Sequence, residues 1–150
     1  MDVEFFSLQC DQFRGHISAG LQELRKSDIL FDMTLVGETG QVGAHKTVLS
    51  SCSSFFRNIV LTNHHHHPLI YLKGVTMEEI VMLLDFMYCG EVRVPRAQLS
   101  SFLTVAKELK VVGFQNHDKS MEHFGTCSMS SWDRKLCCKC CSRNSSNGDR

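Results

Sequence analysis

The chain has 150 residues, of which 43% are hydrophobic, and this is enough to build the core of one globular domain. Sixteen basic residues balance sixteen acidic ones, which argues against direct binding of nucleic acid by this chain, because such binding depends on an excess of Lys and Arg. Met1–Leu8 lacks the basic start of a secretory signal, and no stretch approaches the roughly 18 apolar residues of a membrane span, so no membrane association is expected.

The eight cysteines indicate a reducing compartment. Cys10, Cys52 and Cys89 are scattered among patterned segments, and the other five lie in the last 24 residues. A secreted disulfide scaffold would distribute its cysteines through the folded region. We therefore expect free thiols and an intracellular protein.

The first predicted elements are a short strand and a helix. Glu4–Leu8 is too short and apolar for a helix, and it predicts a strand that needs a partner to cover it. Apolar residues at helical spacing then predict an amphipathic helix over Asp11–Lys26, with Asp11 as its N-cap. The apolar face of this helix consists of Phe13, Ile17, Leu21 and Leu24.

A β-hairpin is predicted next. Residues alternate between apolar and polar over Phe31–Val36, which indicates a half-buried strand. Gly37–Gly40 predicts the turn, and Gln41–His45 the returning strand. Two short helices, His45–Cys52 and Ser53–Leu61, and a third strand, Leu69–Leu72, follow in the chain.

Two helices complete the predicted elements. Thr76 and Glu79 have the spacing of a capping box, which predicts the start of the first helix, and Gly90 predicts its end. Pro95 suits the first turn of the second helix. The predicted buried faces are Met77, Ile80, Val81, Leu84 and Met87 in the first helix and Leu99, Phe102, Leu103, Ala106 and Leu109 in the second.

The string FDMTLVGETGQVGAHKTVLSSCSSFFRNI, followed by HPLIYLKGV and LLDFMYCGEVRV, resembles the BTB/POZ family. The block FFSLQCDQFRGHISAGLQEL is similar to the tramtrack and bric-à-brac group of that family. The resemblance implies an α+β domain over residues 4–115, with a small three-stranded sheet flanked by helical hairpins. It also implies a dimer in which the N-terminal strand is exchanged and the first helices pack together.

The resemblance and the residues together give a set of candidate interface positions. An unpaired apolar strand invites a second chain, which agrees with the implied exchange. Asp32 and Lys46 match two positions that form a charged pocket at the dimer floor in transcription-regulating relatives. The alternative is that both are simply solvated, and His45 is expected to be a structural histidine rather than a catalytic base. The apolar candidates are Phe5, Phe6, Leu8, Phe13, Ile17 and Leu21.

The implied function is that of a protein–protein interaction domain of a nuclear transcription regulator, with the cytoplasm as the alternative location. The expected partners are a second copy or another BTB protein, in a dimer or a larger assembly, together with co-regulator proteins. Relatives in this group usually carry zinc fingers, and their absence here predicts either a short isoform or a truncated gene product. The alternative function is a substrate adaptor for a cullin-type ubiquitin ligase. No phosphate loop, dinucleotide fingerprint or nucleophile elbow supports an enzyme, and no cofactor is expected.

Two clusters of potential metal ligands depart from the family pattern. Residues 116–150 are rich in Cys and Ser and are predicted to be disordered. Within them Cys137, Cys138, Cys140 and Cys141 are weak zinc candidates, because their two C-x-x-C pairs overlap; a reactive or lipid-modified cluster is the alternative. His64–His67 is a run of four imidazoles, for which a solvated loop is a better interpretation than a metal site.

Overall fold

The structure is a computed structural model of the chain that describes residues 4–114. The elements, in chain order, are α1 (Phe13–Lys26), β1 (Met33–Val36), β2 (Gln41–Ala44), α2 (Lys46–Cys52), α3 (Ser54–Thr62), β3 (Leu69–Tyr71), α4 (Met77–Cys89), a 3-10 turn (Arg96–Gln98) and α5 (Leu99–Glu108). Within residues 4–114, no helix is both long enough and apolar enough to cross a membrane.

The three strands form one sheet in the order β2-β1-β3. β1 pairs antiparallel with β2, so that Met33 lies beside Ala44, and parallel with β3, so that Leu35 lies beside Ile70. One face of the sheet therefore carries Met33, Leu35 and Ala44, all of which are buried in the core. The predicted α+β architecture with a small three-stranded sheet is confirmed.

The core lies between this sheet face and the helices. α4 contributes most to it, because the helix is covered on more than one side and even its Tyr88 is buried. Phe56 of α3 and Phe102 of α5 are each 1% exposed and supply the largest side chains. Burial of one such side chain stabilises the fold by about 1.5–3 kcal/mol.

Local capping signals fix the helix boundaries where the sequence supplies them. Ser53 accepts a hydrogen bond from the backbone N–H of Phe56 and so caps α3. Thr76 and Glu79 form the predicted capping box of α4, and Gly90 ends that helix in the left-handed conformation with φ 79°. Each cap satisfies backbone groups that a helix end otherwise leaves unpaired.

The segment after α5 is attached to the junction between α2 and α3. The Ser53 hydroxyl donates to the carbonyl of Leu109 over 2.5 Å, and the N–H of Val112 donates to the carbonyl of Cys52 over 2.8 Å. The ring of Phe114 then packs at 4.7 Å from the ring of Phe86. These contacts close the described fold at its C-terminal end.

Several sequence predictions are wrong in detail. Gln12, not Asp11, is the N-cap of α1, and it makes no side-chain capping bond. β1 begins at Met33 rather than at Phe31, and Pro95 precedes a separate 3-10 turn rather than α5 itself. Val81 was predicted to be buried but is exposed. The buried face of α4 includes other residues, which the predicted helical spacing did not contain. Those missed core residues are Leu83 and Tyr88 in α4 and Val105 in α5.

Candidate functional site

The N-terminal segment before α1 carries large apolar side chains without cover. Residues 4–10 form neither helix nor strand, so the predicted strand at Glu4–Leu8 is absent from the single chain. Phe5 is 89% exposed, Phe6 84% and Leu8 94%. A lone extended segment has no neighbouring strand to bond with, and strand formation here requires an edge supplied from elsewhere.

Helix α1 continues this apolar surface. None of its residues is buried, and Phe13 and Ile17 on its predicted apolar face are both more than half exposed. Leu21, one turn further along, is half-buried and packs against the core. The apolar face of α1 is therefore exposed in the N-terminal half of the helix and packed against the core further along it.

Polar contacts attach the C-terminal half of α1 to α4. Arg25 donates to the carboxylate of Asp85 over 2.7 Å, and its guanidinium group lies 5.1 Å from the centre of the Tyr88 ring. The side-chain amide of Gln22 reaches the carbonyl of Tyr88 at 3.4 Å. Because a cation over an aromatic face is attracted to it, the Tyr88 ring and the Asp85 carboxylate act on the same guanidinium group.

His45 is buried and lies at the centre of a small hydrogen-bonded network. Its Nε2 lies 2.8 Å from the carbonyl of Ile29, which can only accept, so Nε2 carries the proton. In a neutral ring Nδ1 then accepts from the hydroxyl of Tyr88 over 2.5 Å, and the same hydroxyl accepts from the backbone N–H of His45 over 3.0 Å. Burial raises the pKa of Tyr88, which keeps this hydroxyl protonated. His45 therefore has the structural role that the sequence predicts.

Asp32 and Lys46 lie together, but not as two opposed side-chain charges. The carboxylate of Asp32 accepts from the backbone N–H of Lys46 over 2.7 Å, at the first residue of α2. The ammonium group of Lys46 instead donates to the carbonyls of His65 and His66, each at 2.8 Å. The acid thus stabilises a helix start, where a negative charge is favourable, and the base fastens a loop. Their assignment to a dimer interface stays a prediction.

The four-histidine segment is an ordered loop in the structure. His67 contacts the hydroxyl of Thr34 at 2.8 Å through Nε2, and its backbone N–H donates to Nδ1 of His65 over 3.1 Å. Within residues 4–114, no three potential ligands converge on a position suitable for a metal ion. Cys137, Cys138, Cys140 and Cys141 lie outside the described residues.

Sequence reasoning missed the residues that position α1. Arg25 is 60 residues or more away from Asp85 and Tyr88 along the chain, and no local pattern joins it to them. One signal was available, because Arg25 follows Leu21 by one helical turn and so lies on the same side of α1. Such a position places a cation at the border of an apolar face.

Comparison with known proteins is consistent with this fold. The family model of the BTB/POZ domain matches residues 21–123. The chain belongs to the BTB/POZ domain family. The match extends beyond residue 115, and the predicted boundary between domain and tail at that position stays a prediction. The BTB domain of zebrafish PATZ1 has the same fold, with a TM-score of 0.66 and 20% identity over 74% of this chain and 92% of that one.

The curated relatives of this domain include several Drosophila melanogaster proteins. Over 79% of this chain, "Sex determination protein fruitless" is 42% identical, and "Protein tramtrack, alpha isoform" is 35% identical. This chain spans only 12% and 15% of those two proteins. By contrast, it spans 97% of "Longitudinals lacking protein-like", which is 37% identical over 83% of this chain. The predicted likeness to the tramtrack and bric-à-brac group is confirmed, since "Protein bric-a-brac 2" is 34% identical over 72% of this chain.

Proposed function

We propose that this domain joins transcription regulators to one another by self-association through its N-terminal segment and α1. One observation carries the proposal: Phe5, Phe6, Leu8, Phe13 and Ile17 are all more than half exposed and follow each other along the chain. Several large apolar side chains left exposed within one stretch of chain indicate a protein–protein interface. A second copy presents the same surface, so the two can cover each other about a two-fold axis.

The energetics favour joint use of the segment and the helix. Burial of one large apolar side chain contributes about 1.5–3 kcal/mol, whereas ordering the backbone of one residue costs about 1–2 kcal/mol. The segment alone gains little, because most of its residues must be ordered to bury three side chains. The apolar face of α1 is already ordered, and its burial supplies the surplus.

Asp32 and Lys46 are proposed to lie at the floor of this interface. The support is their proximity, since the Asp32 carboxylate is 2.7 Å from the backbone nitrogen of Lys46, and both residues are only half-buried in the single chain. Leu30 is two residues before Asp32 and is 71% exposed, so this side of the domain also presents an apolar side chain. A second chain would desolvate all three together.

The relatives extend the proposal to partners and location. One of them, "Sex determination protein fruitless", is named after a developmental process, which supports a regulatory role and a nuclear location for this chain. We propose that it pairs with itself or with a related BTB domain, binds co-regulator proteins and does not itself bind DNA. Imaging of a fluorescent fusion tests the location, and exclusion from the nucleus would contradict it.

Self-association is tested by the mass of the full chain at about 20 μM, measured by size-exclusion chromatography with light scattering. The expected mass is at least twice the 17.0 kDa of one chain. We expect the double substitution Phe5→Ser with Phe6→Ser to halve the wild-type mass. The matched control is Leu61→Ser, which changes a residue that is 67% exposed outside this surface and leaves the mass unchanged. A monomeric wild type, or a double variant with wild-type mass, contradicts the proposal.

A further inference from the structure

Strand β3 lies at the edge of the sheet with β1 as its one strand neighbour among the described residues. The N–H of Thr34 donates to the carbonyl of Pro68 over 3.0 Å, and the N–H of Leu72 donates to the carbonyl of Val36 over 2.8 Å. Backbone groups alternate in direction along a strand, so Pro68, Ile70 and Leu72 face β1. Leu69 and Tyr71 therefore direct their N–H and C=O groups away from the sheet.

The side chains at this edge are apolar and open to solvent. Leu69 is 62% exposed and Tyr71 is 55% exposed, whereas Ile70 between them packs against the core. Leu69 pairs with Thr34 and Tyr71 with Val36, so both exposed side chains lie on the sheet face opposite to Met33 and Leu35.

The edge lacks the devices that usually prevent strands from pairing with other chains. Edge strands are commonly protected by a charge, a bulge or a proline that removes an outward N–H group. β3 contains no charged residue. The backbone of Pro68 faces β1, so this proline removes no N–H group from the outward side of the edge. The N–H of His67 already bonds to His65, so the open part of the edge is limited to Leu69–Tyr71.

Different side chains lie on the outer face of the sheet, opposite to the core, at β2 and at β3. A Cβ atom placed on Gly43 of β2 would lie 2.2 Å from the ring of Phe31, which means that this ring covers the outer face of β2. On β3 the outer face holds a fixed aromatic ring instead, because the Tyr71 hydroxyl donates to Glu38 over 3.0 Å and Glu38 also accepts from the N–H of Gly74 over 2.6 Å. The Tyr71 side chain is thus ordered before any partner arrives.

We propose that β3 pairs antiparallel with β3 of a second copy about a two-fold axis at Ile70, which joins two sheets into one of six strands. In this register Leu69 of one copy lies opposite Tyr71 of the other. The two-fold axis produces two such pairs, and both lie on the sheet face opposite to the core. The strand is complementary to itself, because each outward N–H meets an outward C=O and each exposed aliphatic side chain meets an exposed aromatic one. A second copy is therefore the occupant that fits both the backbone and the side chains.

This surface is separate from the N-terminal segment and α1, and one experiment distinguishes the two. Native mass spectrometry of the full chain is compared for the wild type, L69K/Y71K, F5S/F6S and the fourfold variant. If both surfaces associate, the wild type has a mass of at least four chains, each double variant is a dimer and the fourfold variant is a monomer. V112K is the control, since Val112 is 60% exposed outside the sheet, and it keeps the wild-type mass.

The outcomes bear on each surface independently. A wild-type mass for L69K/Y71K, with half that mass for F5S/F6S, overturns the β3 pairing and leaves the proposed function intact. Half the wild-type mass for L69K/Y71K, with the full mass for F5S/F6S, supports the β3 pairing and overturns the proposed N-terminal interface. Circular dichroism of each variant confirms that the fold is retained, as expected for substitutions of exposed residues.

The register is tested by disulfide formation between copies. L69C mixed with Y71C places the two introduced thiols opposite each other in an antiparallel pair centred on Ile70, whereas each variant alone places them apart. Peptide mass spectrometry identifies the bridge by its two sites, which separates it from bridges of the native cysteines. We expect at least a tenfold higher yield of this bridge in the mixture than of like-with-like bridges in either variant alone. Equal yields overturn the proposed register.

Discussion

Arg25 and Asp85 join α1 to α4 through a hydrogen-bonded ion pair of 2.7 Å. The side chain of Arg25 is 19% exposed and that of Asp85 is 47% exposed, so the pair lies at the border of solvent rather than in the core. The ring of Tyr88 lies beneath the same guanidinium group. This polar anchor, together with the hydrogen bond from Gln22 to the carbonyl of Tyr88, helps to set the direction of α1 and of the apolar face proposed for self-association.

Replacing Arg25 by Gln removes this anchor. An exposed ion pair contributes about 0–1 kcal/mol and a cation over an aromatic ring about 0.5–1 kcal/mol, so we expect a loss of about 1 kcal/mol in the free energy of unfolding. Urea denaturation measures this loss, and hydrogen exchange should show faster opening of α1. Arg14→Gln, at an exposed position of the same helix, is the control and should leave both measurements unchanged. Equal effects of the two substitutions would show that Arg25 has no special role.

Tyr88→Phe tests the network around His45. The substitution leaves the backbone N–H and Nδ1 of His45 without their shared partner in a buried site, and an unsatisfied buried group costs about 1–3 kcal/mol. We expect the free energy of unfolding to fall by that amount. Tyr71→Phe removes a hydroxyl from an exposed tyrosine and should change the free energy by less than about 0.5 kcal/mol. A variant as stable as the wild type would mean that water or another group replaces the lost hydroxyl.

Glu79 makes the stability of the fold sensitive to acid. Burial alone would raise the pKa of its carboxyl group, but hydrogen bonds from the hydroxyl of Ser101 and from the backbone and hydroxyl of Thr76 outweigh burial and lower it below 4.5. A lowered carboxyl pKa means stabilisation that is present above about pH 4.5 and is lost as the pH falls through the pKa of the folded state.

Glu79→Gln should therefore lower the melting temperature at pH 7 and flatten its fall below about pH 4.5, where the carboxylate of the folded state takes up its proton. Melting curves at half-unit pH steps measure both effects. The control is Glu78→Gln, which changes the neighbouring carboxylate whose partner, Gln98, is bound on the protein surface. Parallel pH profiles for the wild type and Glu79→Gln would contradict this account.

Substitution of two glycines by alanine can measure the effect of backbone strain without a steric clash. Neither Gly90 nor Gly20 has any atom within 4 Å of the place where a Cβ would stand, but Gly90 has φ 79° and Gly20 lies within α1. Gly90→Ala should destabilise the fold by about 1–2 kcal/mol, because an L-residue is strained in the left-handed conformation. Gly20→Ala should stabilise it by about 0.5–1 kcal/mol, because alanine favours a helix. Thermal unfolding measures whether each variant is more or less stable than the wild type. A change in the same direction for both variants would refute the explanation.

The elements that local chemistry specifies were predictable from the sequence. The capping box at Thr76 and Glu79, the helix end at Gly90 and the hairpin turn from Gly37 to Gly40 each depend on residues within a few positions of each other. The prediction of Asp11 as the N-cap was wrong because α1 begins two residues later, and helix starts are poorly specified where no side chain bonds to the first turn.

Features that depend on distant pairs could not be predicted in the same way. Val81 follows the helical spacing of the α4 face, yet it is 38% exposed because the neighbouring elements cover Leu83 and Tyr88 instead. The shift of the Lys46 ammonium group from Asp32 to the carbonyls of the histidine loop depends on a contact across 19 residues. The exposed surface at the N-terminus was predictable, since apolar residues ahead of a helix had no partner in the pattern.

The anchoring of the segment after α5 has a consequence for whatever the chain carries next. Ser53 and Cys52 hold the backbone near Leu109 and Val112, and Phe114 packs against the rings of Phe86 and Phe102, so the last described residue is fixed on the domain. A reporter attached at residue 114 would therefore turn with the rigid body, and its tumbling would report how many domains move as one particle.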